Sequence, residues 1–187
     1  MAKVCIFLAE GFEEIEALTV VDVLRRAKVE IVMVSVTGTD PVTGAHGITV
    51  MADSLFEDME YGDTDMLVLP GGMPGTLNLS KHEGLSRLLK SFYESGKELA
   101  AICAAPRILG TKGFLSGKNA TCYPGNEESL LGARYQAADV VMDGNIVTSR
   151  GMGTALDFSL SLVTKLKGRE EAVRLAEALQ YRHYQPL

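Results

Sequence analysis

The chain has 187 residues, 47% hydrophobic and 22% charged, with a formal net charge of −6 and a pI near 5.1. That length supports one domain with a sizeable core; there is no basic patch to meet nucleic-acid phosphates, and no apolar run nears the ~18 residues of a membrane span. Met1-Ala2-Lys3 leads straight toward a strand with no leader, and the three cysteines are widely spaced with no C-x-x-C, which argues against a disulfide framework or a zinc site, so a cytoplasmic protein is expected.

Strands and helices alternate along the chain. Val4–Leu8 is a short apolar run and reads as a buried strand, broken at Gly11. A helix follows from Glu13 and Glu14 to Ala27, with acids at its start and Arg25 and Arg26 at its end, as the helix dipole favours. Val29–Val36 is β-branched and mostly apolar, a second buried strand. Gly44–Met51 reads as a hairpin arm. Met66–Leu69 is a strand stopped by Pro70-Gly71-Gly72, Leu85–Tyr93 an amphipathic helix, Leu99–Ile102 a strand and Asn119–Cys122 another short one. Asp143-Gly144 between Val140–Met142 and Ile146–Thr148 marks a β-hairpin. Ala155–Leu166 and Glu170–Leu179 close the chain as helices around Gly168. One doubly wound α/β domain over residues 1–187, with a mostly parallel sheet and a small hairpin, satisfies this order.

Ligands of such sheets bind beyond the carboxyl ends of the strands, so the loops that matter follow strands. Cys103 lies where the strand Leu99–Ile102 ends and where Pro106 suits a first helical turn. A nucleophile elbow holds a reactive side chain in such a turn, and a helix N-terminus favours thiolate over thiol. A buried cysteine packing as a small hydrophobe is the other reading. Glu16 is a candidate carboxylate at the mouth of the crevice, while Glu13 and Glu14 read as complements of the helix dipole. The glycines of Pro70-Gly71-Gly72 let backbone N–H groups approach an anion, so Gly72 and Ala104 form a candidate oxyanion hole; a plain tight turn is the alternative. Arg150, in Ser149-Arg150-Gly151-Met152-Gly153-Thr154, reads either as an anion ligand or as a solvated cap on a carbonyl. The three histidines lack metal-ligand spacing: His82 and His183 read as surface residues, and His46 sits in the hairpin region, within reach of the crevice or of a subunit contact.

Four motifs in register carry a resemblance that covers nearly the whole chain. Ala9-x-Gly11-x-Glu13-Glu14-x-Glu16, Leu69-Pro70-Gly71-Gly72, Ala100-Ala101-Ile102-Cys103-Ala104-Ala105-Pro106 and Thr148-Ser149-Arg150-Gly151-x-Gly153-Thr154 closely resemble the ThiJ/PfpI superfamily, in particular its Parkinsonism-associated deglycase (DJ-one) and YajL-like branch. The resemblance implies a flavodoxin-like three-layer sandwich and a homodimer. It implies Cys103 as nucleophile, Glu16 as the acid beside its sulfur, backbone N–H groups from Gly72 and Ala104, and Arg150 in support; His46 is a further supporting candidate from its place in the hairpin. No cofactor motif and no metal-ligand spacing is present, so neither a cofactor nor a metal is expected.

The departures narrow the activity. The protease-like branch has a histidine after its nucleophile, where this chain has Ala104, which disfavours a peptidase. Some deglycase-branch members have a histidine where Tyr123 stands, and some relatives an arginine where His46 stands. The expected function is cysteine-dependent conversion of small α-oxoaldehydes or their adducts, of glyoxalase or deglycase type. An oxidation-sensing protein or chaperone using the same Cys103 and Glu16 is the competing class. A thiazole monophosphate biosynthesis label, often carried by this family, finds no phosphate-binding motif here.

Overall fold

Alternate residues of the first strand, β1 (Lys3–Leu8), serve two different cores. Val4, Ile6 and Leu8 pack into one and Cys5 and Phe7 into the other, because successive strand side chains point to opposite faces. A strand buried on both sides is therefore apolar throughout, and β1 is buried from Val4 onward. The computed structural model describes residues 2–186. After β1 come α1 (Glu14–Arg26), β2 (Glu30–Ser35), β3 (Pro41–Thr43), β4 (Thr49–Met51), β5 (Ser54–Leu55), β6 (Met66–Leu69), α2 (Gly75–Lys81) and α3 (Glu83–Glu94). Then follow β7 (Glu98–Ile102), α4 (Pro106–Thr111), β8 (Asn119–Ala120), β9 (Arg134–Tyr135), β10 (Val140–Asp143), β11 (Ile146–Ser149), α5 (Ala155–Lys167) and α6 (Arg169–Ala178).

A seven-stranded sheet in the order β10-β11-β7-β6-β1-β2-β5 forms the middle layer. Every pairing in it is parallel except β10 with β11. Residues of α1, α5 and α6 fill the core on one face; residues of α2, α3 and α4 fill the other. This is the three-layer arrangement expected, with β3 and β4 as a separate antiparallel hairpin. One expectation changes: the strand at Asn119–Cys122 shortens to β8 and pairs with β9 outside the main sheet. Among the described residues no helix is long and apolar enough to cross a membrane.

The chain leaves β1 for β2 on one side and returns to β6 on the other, which makes the β1/β6 boundary a topological switch point. Beyond the carboxyl ends of β1, β6, β7 and β11 lie the start of α1, Gly71-Gly72, Cys103 and Arg150.

Candidate active site

Cys103 is the first residue after β7 and holds φ = +64°, a left-handed conformation rare outside glycine. Two backbone bonds fix it there. Its N–H donates to the Ser149 carbonyl at 2.9 Å, and its own carbonyl accepts from the Tyr123 N–H at 2.8 Å. The side chain is partly exposed, whereas Cys5 and Cys122 are buried, so only Cys103 of the three is reachable. This is the elbow geometry expected from the strand–Cys–x–x–Pro pattern. The backbone N–H groups of Gly72 and Ala104 favour its charged form.

Glu16 reaches the same sulfur from the first turn of α1. It is 1% exposed, and its Oε2 accepts from the Gly71 N–H at 2.9 Å. Glu13 caps the helix: its Oε2 accepts from the Glu16 N–H at 2.7 Å, and its own N–H donates to the Gly71 carbonyl at 2.9 Å. The cap thus ties α1 to the loop after β6. No side chain fits at Gly71, where a Cβ would stand 2.5 Å from Glu16 Oε2 and 2.6 Å from Cys103 Cβ. Gly72 has φ = +92°, a left-handed conformation that favours glycine, and a Cβ there would collide with the Glu13 backbone nitrogen.

Burial pushes the Glu16 carboxyl up to about 7, even though Cys103 and the Gly71 N–H favour its charged form. Burial likewise pushes the Cys103 thiol up to about 12, followed by repulsion from an ionised Glu16. The acidified thiol expected from the helix field is therefore not what the geometry provides. α4 is only six residues long, and burial outweighs its field. The repulsion exists only while Glu16 is ionised, so the two groups titrate as a unit that loses its first proton near pH 7 and keeps the second well above it. When that proton sits on Glu16, the Gly72 and Ala104 N–H groups are left to hold the sulfur's charge.

The other candidates fall around this pair. Gly151 is buried after β11, and a Cβ on it would lie 3.3 Å from Tyr123 Cδ2 and 3.9 Å from Glu16 Oε1. The half-exposed Tyr123 ring and the Glu16 carboxyl therefore border the same gap. Arg150 precedes Gly151; its N–H donates to the Asp139 carbonyl at 3.3 Å, and its Nε is buried without a partner among the described residues. It is neither a simple carbonyl cap nor fully solvated.

His46 lies on the hairpin, outside the immediate sulfur environment. Its Nδ1 stands 2.8 Å from Glu14 Oε2, and its N–H donates to Glu14 Oε1 at 2.7 Å. Glu14 is 2% exposed, so it does more than complement the dipole: it anchors the hairpin to α1. The spacing of these residues along the chain gave no hint of this, because the partners lie 32 positions apart. Space also brings together donor atoms of Glu13, Glu14 and His46 within 4.8 Å, a group no sequence spacing revealed, though Glu14 and His46 already bond each other. Nor is His82 merely a surface residue, since its Nδ1 accepts from the Leu85 N–H at 3.0 Å and caps α3.

Residues 2–165 match the DJ-1/PfpI family. Protein DJ-1 homolog B of Arabidopsis thaliana is 42% identical over 182 residues, 96% of this chain but 42% of the relative. The chain spans less than half the length of the plant relatives it matches. A Caenorhabditis elegans protein described as a glutathione-independent glyoxalase is 32% identical over 172 residues, covering 91% of each chain. The structure of Toxoplasma gondii DJ-1 in oxidised form superimposes with a TM-score of 0.94 at 36% identity, covering 98% of this chain and 100% of that one. The flavodoxin-like sandwich, the sequence match and the shared fold lead to one conclusion: this chain belongs to the DJ-1/PfpI family.

Proposed function

We propose that this protein converts small α-oxoaldehydes to 2-hydroxy acids, with Cys103 as nucleophile and Glu16 as acid and base. The observation that carries the reading is a reachable sulfur in a left-handed elbow, facing one buried carboxyl and two backbone N–H groups. The family and the glyoxalase named among the relatives agree with it.

The chemistry follows from the shared proton. Glu16 takes the thiol proton as the sulfur adds to the aldehyde carbon. The carbonyl π bond breaks, and the new oxyanion lies toward the Gly72 and Ala104 N–H groups before taking that proton back. Glu16 then removes the hydrogen from the aldehyde-derived carbon and returns it to the neighbouring ketone carbon. The adduct's hydroxyl proton passes to the ketone oxygen, and the first carbon, in becoming a thioester, gives up the two electrons that reduce the second to an alcohol. Water cleaves the thioester and frees Cys103. The redox change is internal to the substrate, so the step sequence calls for no cofactor. The Tyr123 ring borders the gap beside the Glu16 carboxyl, which supports a role for it against the remainder of the substrate, with Arg150, next to Gly151, in a supporting role.

Methylglyoxal is the test substrate. Steady production of lactate without added glutathione is the expected result. Negligible turnover, with one equivalent of Cys103 sulfinate by mass spectrometry after mild peroxide, would replace this reading with an oxidation sensor. Three free cysteines suit the reducing cytoplasm where such a thiol survives.

The expected homodimer has a candidate face. Ile15 and Met152 are 49% and 55% exposed and flank a groove of about 420 Å³ with Leu18 and Leu156. An exposed apolar strip of this kind suits a second copy of the chain. Sedimentation velocity at micromolar concentration should give a dimer; a monomer removes this part of the proposal.

A further inference from the structure

We propose that His46 is a positioning residue for the Cys103–Glu16 pair. Its imidazole is held between Glu13 and Glu14, and its charge decides how tightly the acidic start of α1 holds the proton on Glu16. The inference rests on Glu16 being the proton-handling group, but its readout is the titration of Glu16 itself rather than turnover.

Three carboxylates crowd the first turn of α1, and all three are nearly or fully buried: Glu13 at 8%, Glu14 at 2% and Glu16 at 1% exposure. Such a cluster raises the cost of every further negative charge. His46 Nδ1 is 2.8 Å from Glu14 Oε2 and 3.9 Å from Glu13 Oε1. The opposite oxygen of Glu13 bonds the Glu16 N–H. One imidazolium therefore touches both neighbours of Glu16 while its ring stays mostly in solvent, where it exchanges protons freely. Its bond to Glu14 raises its own proton affinity, and Glu14 is held below the usual carboxylate range: burial opposes this, but the His46 bonds prevail. The charge of Glu13 in turn raises Glu16.

The other groups facing these residues do not replace it. Glu16 faces Cys103 from the elbow, and Gly151 lies near both Glu16 and the Tyr123 ring. From the loop after β1, Glu10 accepts from the Thr43 N–H of the hairpin and adds another negative charge. Below its own midpoint His46 is charged and offsets Glu13 and Glu14. As pH rises it loses that charge, and the grip on the Glu16 proton tightens as solution protons become scarce. The titration of Glu16 is broadened as a result.

The test is ¹³C-carboxyl NMR of glutamate-labelled protein, with the Glu16 signal assigned by its loss in Glu16→Gln. His46→Gln keeps a hydrogen-bond donor for Glu14 but removes the charge, and should move the Glu16 midpoint upward by on the order of half a pH unit. His46→Arg keeps the charge at all pH values, and should hold the midpoint at or below that of the wild type with a steeper curve. An unmoved midpoint in His46→Gln, or equal shifts in both variants, overturns the proposal. A protein without methylglyoxal turnover still gives this readout, so failure of the activity and failure of the His46 assignment are distinguishable.

Discussion

Cys103→Ser lowers methylglyoxal turnover by at least about 10³-fold while the protein stays folded. A serine hydroxyl holds its proton far more tightly than a thiol, and a carboxylate whose own proton leaves at about 7 is too weak a base to remove it. The replacement is nearly isosteric, and neither backbone bond that fixes φ = +64° passes through the side chain. The loss should therefore fall on kcat, with thermal stability shifted by no more than about 1 kcal/mol. Activity retained within tenfold would refute the nucleophile assignment.

Glu16→Gln should cost about 10²- to 10⁴-fold in kcat, the usual contribution of a positioned acid or base. A glutamine oxygen still accepts from the Gly71 N–H, so the loop after β6 keeps its tie to α1. What disappears is the group that moves protons between sulfur, oxygen and carbon. Stability should change in the opposite direction. Burial raises the folded pKa of Glu16 to about 7, above its unfolded value, so its contribution is complete below about 4.5 and is lost as pH rises through 7. The variant carries no such loss. Its melting temperature should exceed that of the wild type above pH 7, and the margin should shrink toward pH 4.5. A variant both inactive and less stable at pH 8 would show that Glu16 is a structural acid only.

The architecture was legible where local chemistry and tertiary demand agree. Met66–Leu69 is a strand in sequence and in structure because four apolar residues end at Pro70-Gly71-Gly72. Asp143-Gly144 specifies the β10–β11 hairpin in the same way. By contrast α2 opens on Gly75 with no side-chain cap, and only Gly75, Thr76 and Leu79 of its seven residues are buried, so no helical period shows. β5 is two residues long and is defined by its pairing with β2 alone. The turn that holds Cys103 was readable from strand–turn–helix order, whereas nothing but motif resemblance singled out Glu16 among the acids that open α1. The state of the thiol was not, because it follows from burial that no linear pattern reports. The roles of Glu14 and His46 were hidden for the same reason: their bond spans 32 residues and exists only once the hairpin folds against α1.

Catalysis by this pair requires Cys103 and Glu16 to lose their first shared proton as one unit. The rate of Cys103 alkylation by iodoacetamide, followed across pH 5 to 11 in the wild type and in Glu16→Gln, measures that directly. The wild-type rate should rise through a step near pH 7. In the variant that step should be gone, with reactivity appearing only above about pH 9 because burial still holds the thiol up. Identical profiles for the two proteins, or a wild type with no step near pH 7, would contradict it.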